Sequence, residues 1–303
     1  RDLHLSLRRQ RQMCIRDRTS PSTNHLTGVG YGNGTFVAVG NSGTIYTSSD
    51  GSTWTEQTSG TTYALQNVAY ANGNFVLIGD TGTIFTSTDG VTWTSRTSGT
   101  ANSLIGITYG NNTFVTVGES GTILTSTDGE TWTSRNSGTT NSLQEITYAK
   151  GTFVAVGQSG VILTSSDGTT WTDQTSGTTN WLIGVTYGNG RFVVVGSAGI
   201  ILTSSDLSTW NSSYYGTYVD LRGVSFGNNT FVIVGGNGTI LTSYGDGSDW
   251  SSRTSGTTQH FNRVTRGNNT FVAVGLSGTI FTCLLYTSPS PRDLSTSRMP
   301  SSA

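Results

Sequence analysis

A unit of about 39 residues repeats along almost the whole chain. The motif F-V-x-[VI]-G begins at Phe36, Phe75, Phe114, Phe153, Phe192, Phe231 and Phe271. The spacing is 39 residues, except for 40 in the sixth unit, where the segment SYGDGSDW carries one extra residue. Self-similarity at a fixed period is the sequence signature of a repeat fold, so one such unit is the building block of this chain.

Each unit contains four short segments that are typical of β-strands. In the second unit these are Leu65–Tyr70, Phe75–Gly79, Thr83–Asp89 and Thr92–Ser98, separated by turns rich in Gly, Asn and Asp. Such turns supply the positive φ angles that tight hairpins require, and the segments between them are rich in Thr, Val, Ile and aromatic residues. Four strands in each unit of about 40 residues predict an all-β protein, a β-propeller of four-stranded blades.

An aspartate in a tight turn, followed four residues later by a tryptophan, recurs along the units. A catalytic residue need occur only once, so we interpret the recurring residues as architecture. We expect the carboxylates to accept hydrogen bonds from backbone N–H groups of their own turns, and the indoles to fill the seams between blades. The residues are Asp50 and Trp54, Asp89 and Trp93, Asp128 and Trp132, Asp167 and Trp171, and Asp206 and Trp210.

These turns resemble the Asp-box, or BNR, repeat S-x-D-x-G-x-x-W of sialidases and several non-enzymatic propellers. The segment Ser48–Trp54 departs from that repeat by one residue, because Gly51 follows Asp50 directly. Together with the F-V-A-V-G and G-x-I-x-T-S strands, this variant looks closer to the propeller family of photosystem II assembly factors. The resemblance covers about residues 26–282 and implies a propeller with a protein partner docked on one face, whereas a fold alone does not specify an activity.

The two ends of the chain depart from the repeat. Residues 1–18 and 283–303 resemble translated adapter DNA from a sequencing library, so we predict that residues 19–282 form the propeller and that the ends are not native. Both cysteines, Cys14 and Cys283, fall in the end segments, which leaves no disulfide to predict. Residues 19–282 keep 8 of the 16 basic and 14 of the 17 acidic residues, a net charge of −6.

The predicted ring has seven blades, and the last blade lacks its outer strand. Thr19–Leu26 aligns with Thr97–Leu104, which follows an outer strand, so a further outer strand is expected upstream of residue 19. If that strand completes the last blade, the ring closes with seven blades. Additional blades upstream would instead make a larger ring.

The position just before the first strand of each unit is the most variable. It lies between the outer strand of one blade and the inner strand of the next, at one mouth of the central channel. Imidazoles and a carboxylate there could bind polar groups or a metal, and an indole could stack on a sugar ring. Four residues from consecutive blades are the predicted ligand-binding set, unless they are unrelated residues of a tolerant loop: His25, Trp181, Asp220 and His260.

A few inner-strand and connector residues also depart from the repeat. Charged residues stand on inner strands at Glu145, Arg222, Arg263 and Arg266. The aromatic segment Ser212–Asp220 could extend the predicted site or contribute to packing.

The residue inventory favours a binding protein over an enzyme. Sialidase chemistry is expected to use three convergent arginines on inner strands, whereas Arg96, Arg135 and Arg253 share one position on the outer strand. Neither a unique pair of carboxylates nor a Ser-His-Asp triad stands out. We therefore expect a non-enzymatic binding or scaffolding propeller with a protein or glycan partner and without cofactor or metal. The alternatives are a glycoside hydrolase of the Asp-box type and a carbohydrate-binding adhesin or phage tail component.

Composition gives three further expectations. No run of 18 apolar residues occurs, so no membrane-spanning helix is predicted. The repeats contain no basic patch, which argues against a nucleic-acid partner. Their weakly charged, cysteine-free composition favours a monomeric bacterial or phage protein that is exported to the periplasm, the cell surface or the medium.

Overall fold

Seven four-stranded antiparallel sheets form a ring around a central channel. The computed structural model describes residues 17–19, 23–216 and 218–284. In six sheets the strands follow chain order from the channel outwards, and in the seventh three consecutive strands do so and an N-terminal strand is outermost. The inner strands of neighbouring blades lie against one another. The fold is an all-β, seven-bladed propeller, which confirms the prediction from the seven repeats.

The first N-terminal strand and the strands of the first three blades are short. In chain order they are β1 (Asp17–Thr19), β2 (Leu26–Gly32), β3 (Thr35–Gly40), β4 (Ile45–Ser48), β5 (Thr55–Gln57), β6 (Leu65–Ala71), β7 (Asn74–Gly79), β8 (Ile84–Ser87), β9 (Thr94–Arg96), β10 (Leu104–Gly110), β11 (Thr113–Gly118), β12 (Ile123–Ser126) and β13 (Thr133–Arg135).

The strands of the last four blades have the same lengths to within one or two residues. They are β14 (Leu143–Ala149), β15 (Thr152–Gly157), β16 (Ile162–Ser165), β17 (Thr172–Gln174), β18 (Leu182–Gly188), β19 (Arg191–Gly196), β20 (Ile200–Ser204), β21 (Asn211–Tyr214), β22 (Leu221–Gly227), β23 (Thr230–Gly235), β24 (Ile240–Tyr244), β25 (Ser251–Arg253), β26 (Phe261–Gly267), β27 (Thr270–Gly275) and β28 (Thr279–Leu284).

The last blade has three consecutive strands, β26 to β28, as expected from the sequence. Strand β1 lies antiparallel beside β28, with Asp17 opposite Phe281 and Thr19 opposite Thr279. It takes the outer position that β5 occupies in the first blade. The N-terminal segment therefore completes the sheet of the seventh blade.

Four residues of the predicted adapter segments lie in this sheet. Asp17 and Arg18 belong to β1, and Cys283 and Leu284 extend β28. Their origin stays a prediction. The other residues assigned to those segments, 1–16 and 285–303, lie outside the described residues.

The hydrophobic core lies in the seams between blades. In the seam between the first two blades, Val37 and Val39 of β3 pack against Leu65 and Phe75 of the second blade. On the other side of β3, Phe36 belongs to the cluster shared with the seventh blade. Because the second strand of each blade is buried on both faces, its sequence is a continuous apolar run and does not alternate.

The seam between the seventh and first blades is packed like the others. Tyr46 and Leu26 of the first blade share a buried cluster with Val272 of the seventh blade. The amide Nδ2 of Asn262 also donates to the carbonyl oxygen of Leu26 at 2.8 Å. These contacts close the ring.

The two faces of the ring differ in their turns. We call one the connector face. It carries the connections that lead into the inner strands and a three-residue 3-10 turn between the second and third strands of each blade. The opposite face, the turn face, carries the turns after the inner strands and the aspartate turns. The 3-10 turns are Asn41–Gly43, Asp80–Gly82, Glu119–Gly121, Gln158–Gly160, Ser197–Gly199, Gly236–Gly238 and Leu276–Gly278.

The glycine that ends each 3-10 turn is required by its surroundings. Gly121 has a φ of +68°, and a Cβ added to it would lie 2.0 Å from the carbonyl oxygen of Thr139. The turn therefore packs directly on the backbone of the connection to the next blade, which leaves no room for a side chain. Among the described residues, no helix has the length and apolar character needed to cross a membrane.

Candidate functional site

The recurring aspartates bind the backbone of their own turns on the turn face. The Oδ1 atom of Asp89 accepts hydrogen bonds from the N–H groups of Val91 and Thr92, each at 2.8 Å, and from the hydroxyl of Ser87 at 2.9 Å. The two backbone hydrogen bonds are the main reason why the pKa of Asp89 falls to about 2. Backbone hydrogen bonds are also the main cause of the lowered pKa at Asp50, Asp128 and Asp206. At Asp167 and Asp246 the pKa is lowered mainly by the hydroxyls of Thr169 and Ser248, and then by backbone hydrogen bonds.

The tryptophan of each turn packs against a seam cluster. The ring of Trp93 is tilted against Phe75 at a centroid distance of 6.4 Å and contacts the cluster between the first and second blades. The arginine three residues later binds the neighbouring strand, as in the hydrogen bond of 2.9 Å from Nε of Arg96 to the hydroxyl of Thr86. These repeated side chains interact at the seams and the rim, away from the channel.

One cavity, of about 280 Å³, opens from the connector face into the central channel. The first residue of every inner strand is fully buried in a seam. The second residue lies where the strand register shifts between the first and third residues, and its side chain lines the cavity. The cavity is lined by this second residue from each of the seven blades, together with Trp181, Asp220 and Arg263. The seven second residues are Thr27, Gln66, Ile105, Gln144, Ile183, Arg222 and Asn262.

Larger hollows on the connector face lie nearer the rim. One of about 700 Å³ is lined by residues between Ser159 and Asn180, and one of about 850 Å³ by residues between Gly43 and Tyr63. The same Ser, Gly and Thr positions of the repeat line both hollows. The channel cavity differs from them because each blade contributes its own residue type.

An ion pair forms the floor of the cavity. Arg263 of the seventh blade reaches Glu145 of the fourth blade, three blades away, which is the largest separation in a ring of seven. The Nη2 atom of Arg263 also lies 3.4 Å from the carbonyl oxygen of Ile105 and 3.3 Å from that of Gln144. The two charged side chains are only 12% and 14% exposed. Burial lowers the pKa of Arg263 to about 10, so the guanidinium stays charged at neutral pH.

The channel continues beyond the ion pair. Side chains at the fifth position of the inner strands, such as Thr108, Thr147 and Thr186, are half-buried, so solvent reaches them on the side of the turn face. The ion pair of Glu145 and Arg263 therefore crosses the channel between the cavity and these side chains.

A carboxylate and a guanidinium lie side by side at the mouth. Arg222 Nη2 is 4.0 Å from Asp220 Oδ2, and Arg222 Nη1 donates to Asn262 Oδ1 at 3.0 Å. Asp220 Oδ1 accepts the N–H of Ala198 at 3.3 Å. Asp220 and Arg222 are 45% and 32% exposed. Since Arg263 is neutralised by Glu145, the described residues around the cavity carry no net formal charge.

The structure brings two of the four predicted ligand-binding residues into the cavity. The side chain of Trp181 contacts solvent, with the residue 41% exposed, and its backbone N–H donates to the hydroxyl oxygen of Ser197 at 3.0 Å. Asp220 binds the next residue of that turn, Ala198, so Trp181 and Asp220 lie against the same 3-10 turn. Both residues line the cavity. Their role in ligand binding stays a prediction.

The two predicted histidines lie elsewhere on the connector face. His25 Nδ1 accepts the N–H of Ser277 at 3.0 Å, in the 3-10 turn of the seventh blade. His260 lies near the 3-10 turn of the sixth blade, where a Cβ added to Gly236 would be 3.8 Å from its Nδ1. Neither belongs to the cavity lining. The part of the chain that the structure describes contains no group of three or more His, Cys, Asp or Glu residues placed to hold a metal ion.

Sequence reasoning missed the amide side chains of the cavity. Gln66, Gln144 and Asn262 stand two residues after the position selected as most variable. The signal was present in the repeat, because this position follows the buried first residue of each inner strand and changes from blade to blade.

Comparisons with solved structures show the same fold. YCF48 bound to a D1 peptide superposes with a TM-score of 0.76 at 17% identity, over 89% of this chain and 95% of the other. A catalytically inactive virginiamycin B lyase from Staphylococcus aureus, with quinupristin, gives 0.80 at 13% identity over 89% and 99%. The WD40 propeller domain of Doa1 gives 0.72 at 10% identity over 91% and 97%. No family model and no curated protein matches the sequence.

Proposed function

We propose that this protein is a non-enzymatic binding propeller that docks a partner protein on its connector face, over the cavity at the fifth to seventh blades. One observation carries the proposal. Aromatic and charged departures from the repeat that contact solvent meet at this mouth, namely Trp181, Asp220 and Arg222. Aromatic residues and arginine are enriched at the centres of protein interfaces.

The connection between the fifth and sixth blades is built differently from the others. In the preceding connection, the hydroxyl of Ser176 bonds the backbone of Thr178. Tyr215 takes the place of that serine, and its hydroxyl accepts the N–H of Ser252 in the sixth blade at 3.0 Å. Tyr218, three residues later, is 93% exposed. This connection therefore presents an aromatic side chain to solvent two residues before Asp220, which lines the cavity.

The lining of the cavity favours binding over glycoside hydrolysis. Asp220 is the one carboxylate among its lining residues, and Glu145 on the floor is held by Arg263. A glycoside hydrolase needs two available carboxylates facing the bond. The likeness to YCF48 with its D1 peptide and to a WD40 domain supports a protein partner, whereas the likeness to the lyase concerns an enzyme. Export to the periplasm, cell surface or medium is part of the proposal and is supported by composition.

Selection from a random heptapeptide phage library on the immobilised protein tests this function. Peptides that bind are synthesised and titrated against the purified protein. Trp181→Ala should weaken binding at least about tenfold, since truncating an aromatic hot spot commonly costs that much. Val91→Ala is the matched control, because it truncates an exposed apolar side chain on the turn face.

Other outcomes would contradict the proposal. Peptides whose affinity is unchanged by Trp181→Ala would place binding elsewhere. A glycan-array signal lost in the same variant would favour a carbohydrate-binding adhesin. Turnover of chromogenic glycosides that Asp220→Asn abolishes would establish an enzyme.

A further inference from the structure

The cavity has no net charge, yet it presents strong donors and a strong acceptor. Its two guanidiniums, of Arg222 and Arg263, are balanced by the carboxylates of Asp220 and Glu145. Glu145 and Arg263 on the floor bind each other. At the mouth, Arg222 Nη2 and Asp220 Oδ2 are 4.0 Å apart, a distance too long for a hydrogen bond. An acceptor and a donor therefore stand side by side at the mouth, both in contact with solvent.

From this arrangement we propose that the cavity binds the side-chain carboxamide of a glutamine or asparagine in the docked segment, which rests on the proposed function. A primary amide carries an acceptor oxygen and a donor nitrogen on one carbon. Its oxygen accepts from Arg222 while its NH₂ group donates to Asp220. Both hydrogen bonds involve a charged group, which makes them stronger than neutral ones.

Charged side chains fit this mouth less well. A glutamate or aspartate would bring its carboxylate against Asp220, and a lysine would bring its ammonium against Arg222. Like charges at such distances repel at a partly desolvated site, and one hydrogen-bonding group of the mouth would be left without a partner. A neutral amide satisfies both groups without repulsion.

The remaining walls suit the rest of a glutamine side chain. Ile105, Ile183 and Trp181 provide apolar surface for its methylene groups, and Gln144 adds a further amide. The ion pair of Glu145 and Arg263 crosses the channel below. A cavity of about 280 Å³ has room for one side chain of the docked segment.

Matched peptides test the inference. A heptapeptide selected on the wild-type protein, with affinity that depends on Trp181, is resynthesised with each glutamine or asparagine changed in turn to its acid, Glu or Asp. One such change should weaken binding about tenfold, the usual effect of losing a hydrogen bond to a charged group. Replacement of the same residue by lysine should weaken binding by a similar factor.

Two protein variants should change the preference in opposite directions. Asp220→Asn leaves Arg222 without its carboxylate, so the ratio of affinities for the Gln and Glu peptides should shift about tenfold towards Glu. Arg222→Gln should shift the ratio of affinities for the Gln and Lys peptides towards the Lys peptide. Glu119→Gln is the control, since it removes a carboxylate from a 3-10 turn of the connector face that does not line the cavity, and it should leave both ratios unchanged.

The outcomes separate the inference from the proposed function. If Trp181-dependent peptides bind through an acidic, basic or apolar side chain, or if acid replacements leave the affinity unchanged, the carboxamide inference is wrong while the docking face stands. If no peptide depends on Trp181, the proposed function fails and the inference fails with it. If neutral sugars compete with a peptide whose affinity depends on Trp181, the cavity binds hydroxyl groups. That result also overturns the inference.

Discussion

The ion pair across the channel gives the sharpest prediction about stability. Glu145 and Arg263 occupy the third position of their inner strands, where four other blades carry glycine and leave the channel axis unspanned. We expect Glu145→Ala and Arg263→Ala each to destabilise the propeller, because each leaves the other charge buried without a partner. The double variant should be only about as unstable as either single variant.

The magnitude follows from the burial of the pair. Removing one partner of a buried ion pair costs about 3–5 kcal/mol. The side chains here are 12% and 14% exposed and border a cavity open to water, so about 2–3 kcal/mol for each single variant is expected. A double variant that loses about the same amount gives a coupling energy of about 2 kcal/mol.

Urea unfolding at pH 7, followed by circular dichroism, measures all four proteins of the cycle. The exposed pair of Arg96 and Glu130 provides a control cycle, for which a coupling below about 1 kcal/mol is expected. If the losses at Glu145 and Arg263 add to within about 0.5 kcal/mol, the two residues do not act as a buried pair and the reasoning is refuted.

Three further predictions concern single positions. Gly121→Ala should lower the free energy of unfolding by about 3 kcal/mol or more, because the added Cβ meets the carbonyl oxygen of Thr139. Gly138 also has a positive φ but open space around it, so Gly138→Ala should lower the free energy of unfolding by only about 1–2 kcal/mol. Urea unfolding compares the two variants. Asp89→Asn should be less stable than wild type by about 0.5–1 kcal/mol at pH 7. Since the pKa of Asp89 is lowered from 3.8 to about 2, this difference is complete above pH 3.8, and it should disappear as the pH falls towards 2 in a pH series of unfolding curves. Trp181→Ala should change the free energy of unfolding by less than about 0.5 kcal/mol, because the ring is largely outside the core, so thermal unfolding should separate lost binding from lost folding.

The repeat made the fold predictable. Seven copies of F-V-x-[VI]-G, the first six followed by an aspartate turn, define one blade each, and the truncated last copy indicated a last blade with three consecutive strands. The alignment of Thr19–Leu26 with Thr97–Leu104 also predicted an outer strand before residue 19, and β1 at Asp17–Thr19 takes the outer position of the seventh blade. The number of blades in the ring stayed open at that stage, because local patterns specify strands and turns but not which distant segments pair.

The candidate site was predictable only in part. Trp181 and Asp220 were selected because they break the repeat just before an inner strand, and they do line the cavity. The histidines at 25 and 260 share that position but do not line the cavity, so the position alone does not decide which side chains reach the channel. Glu145 and Arg263 were noted as separate departures. Their pairing depends on the geometry of the ring, which places the fourth blade across from the seventh.

Hydrogen–deuterium exchange with a selected peptide tests whether the connector face at the fifth to seventh blades is the binding surface. Bound peptide should slow exchange in the connections that end at Trp181, Asp220 and His260, and leave exchange in the aspartate turns unchanged. Slower exchange confined to turn-face segments, such as the turn around Asp89, would contradict it.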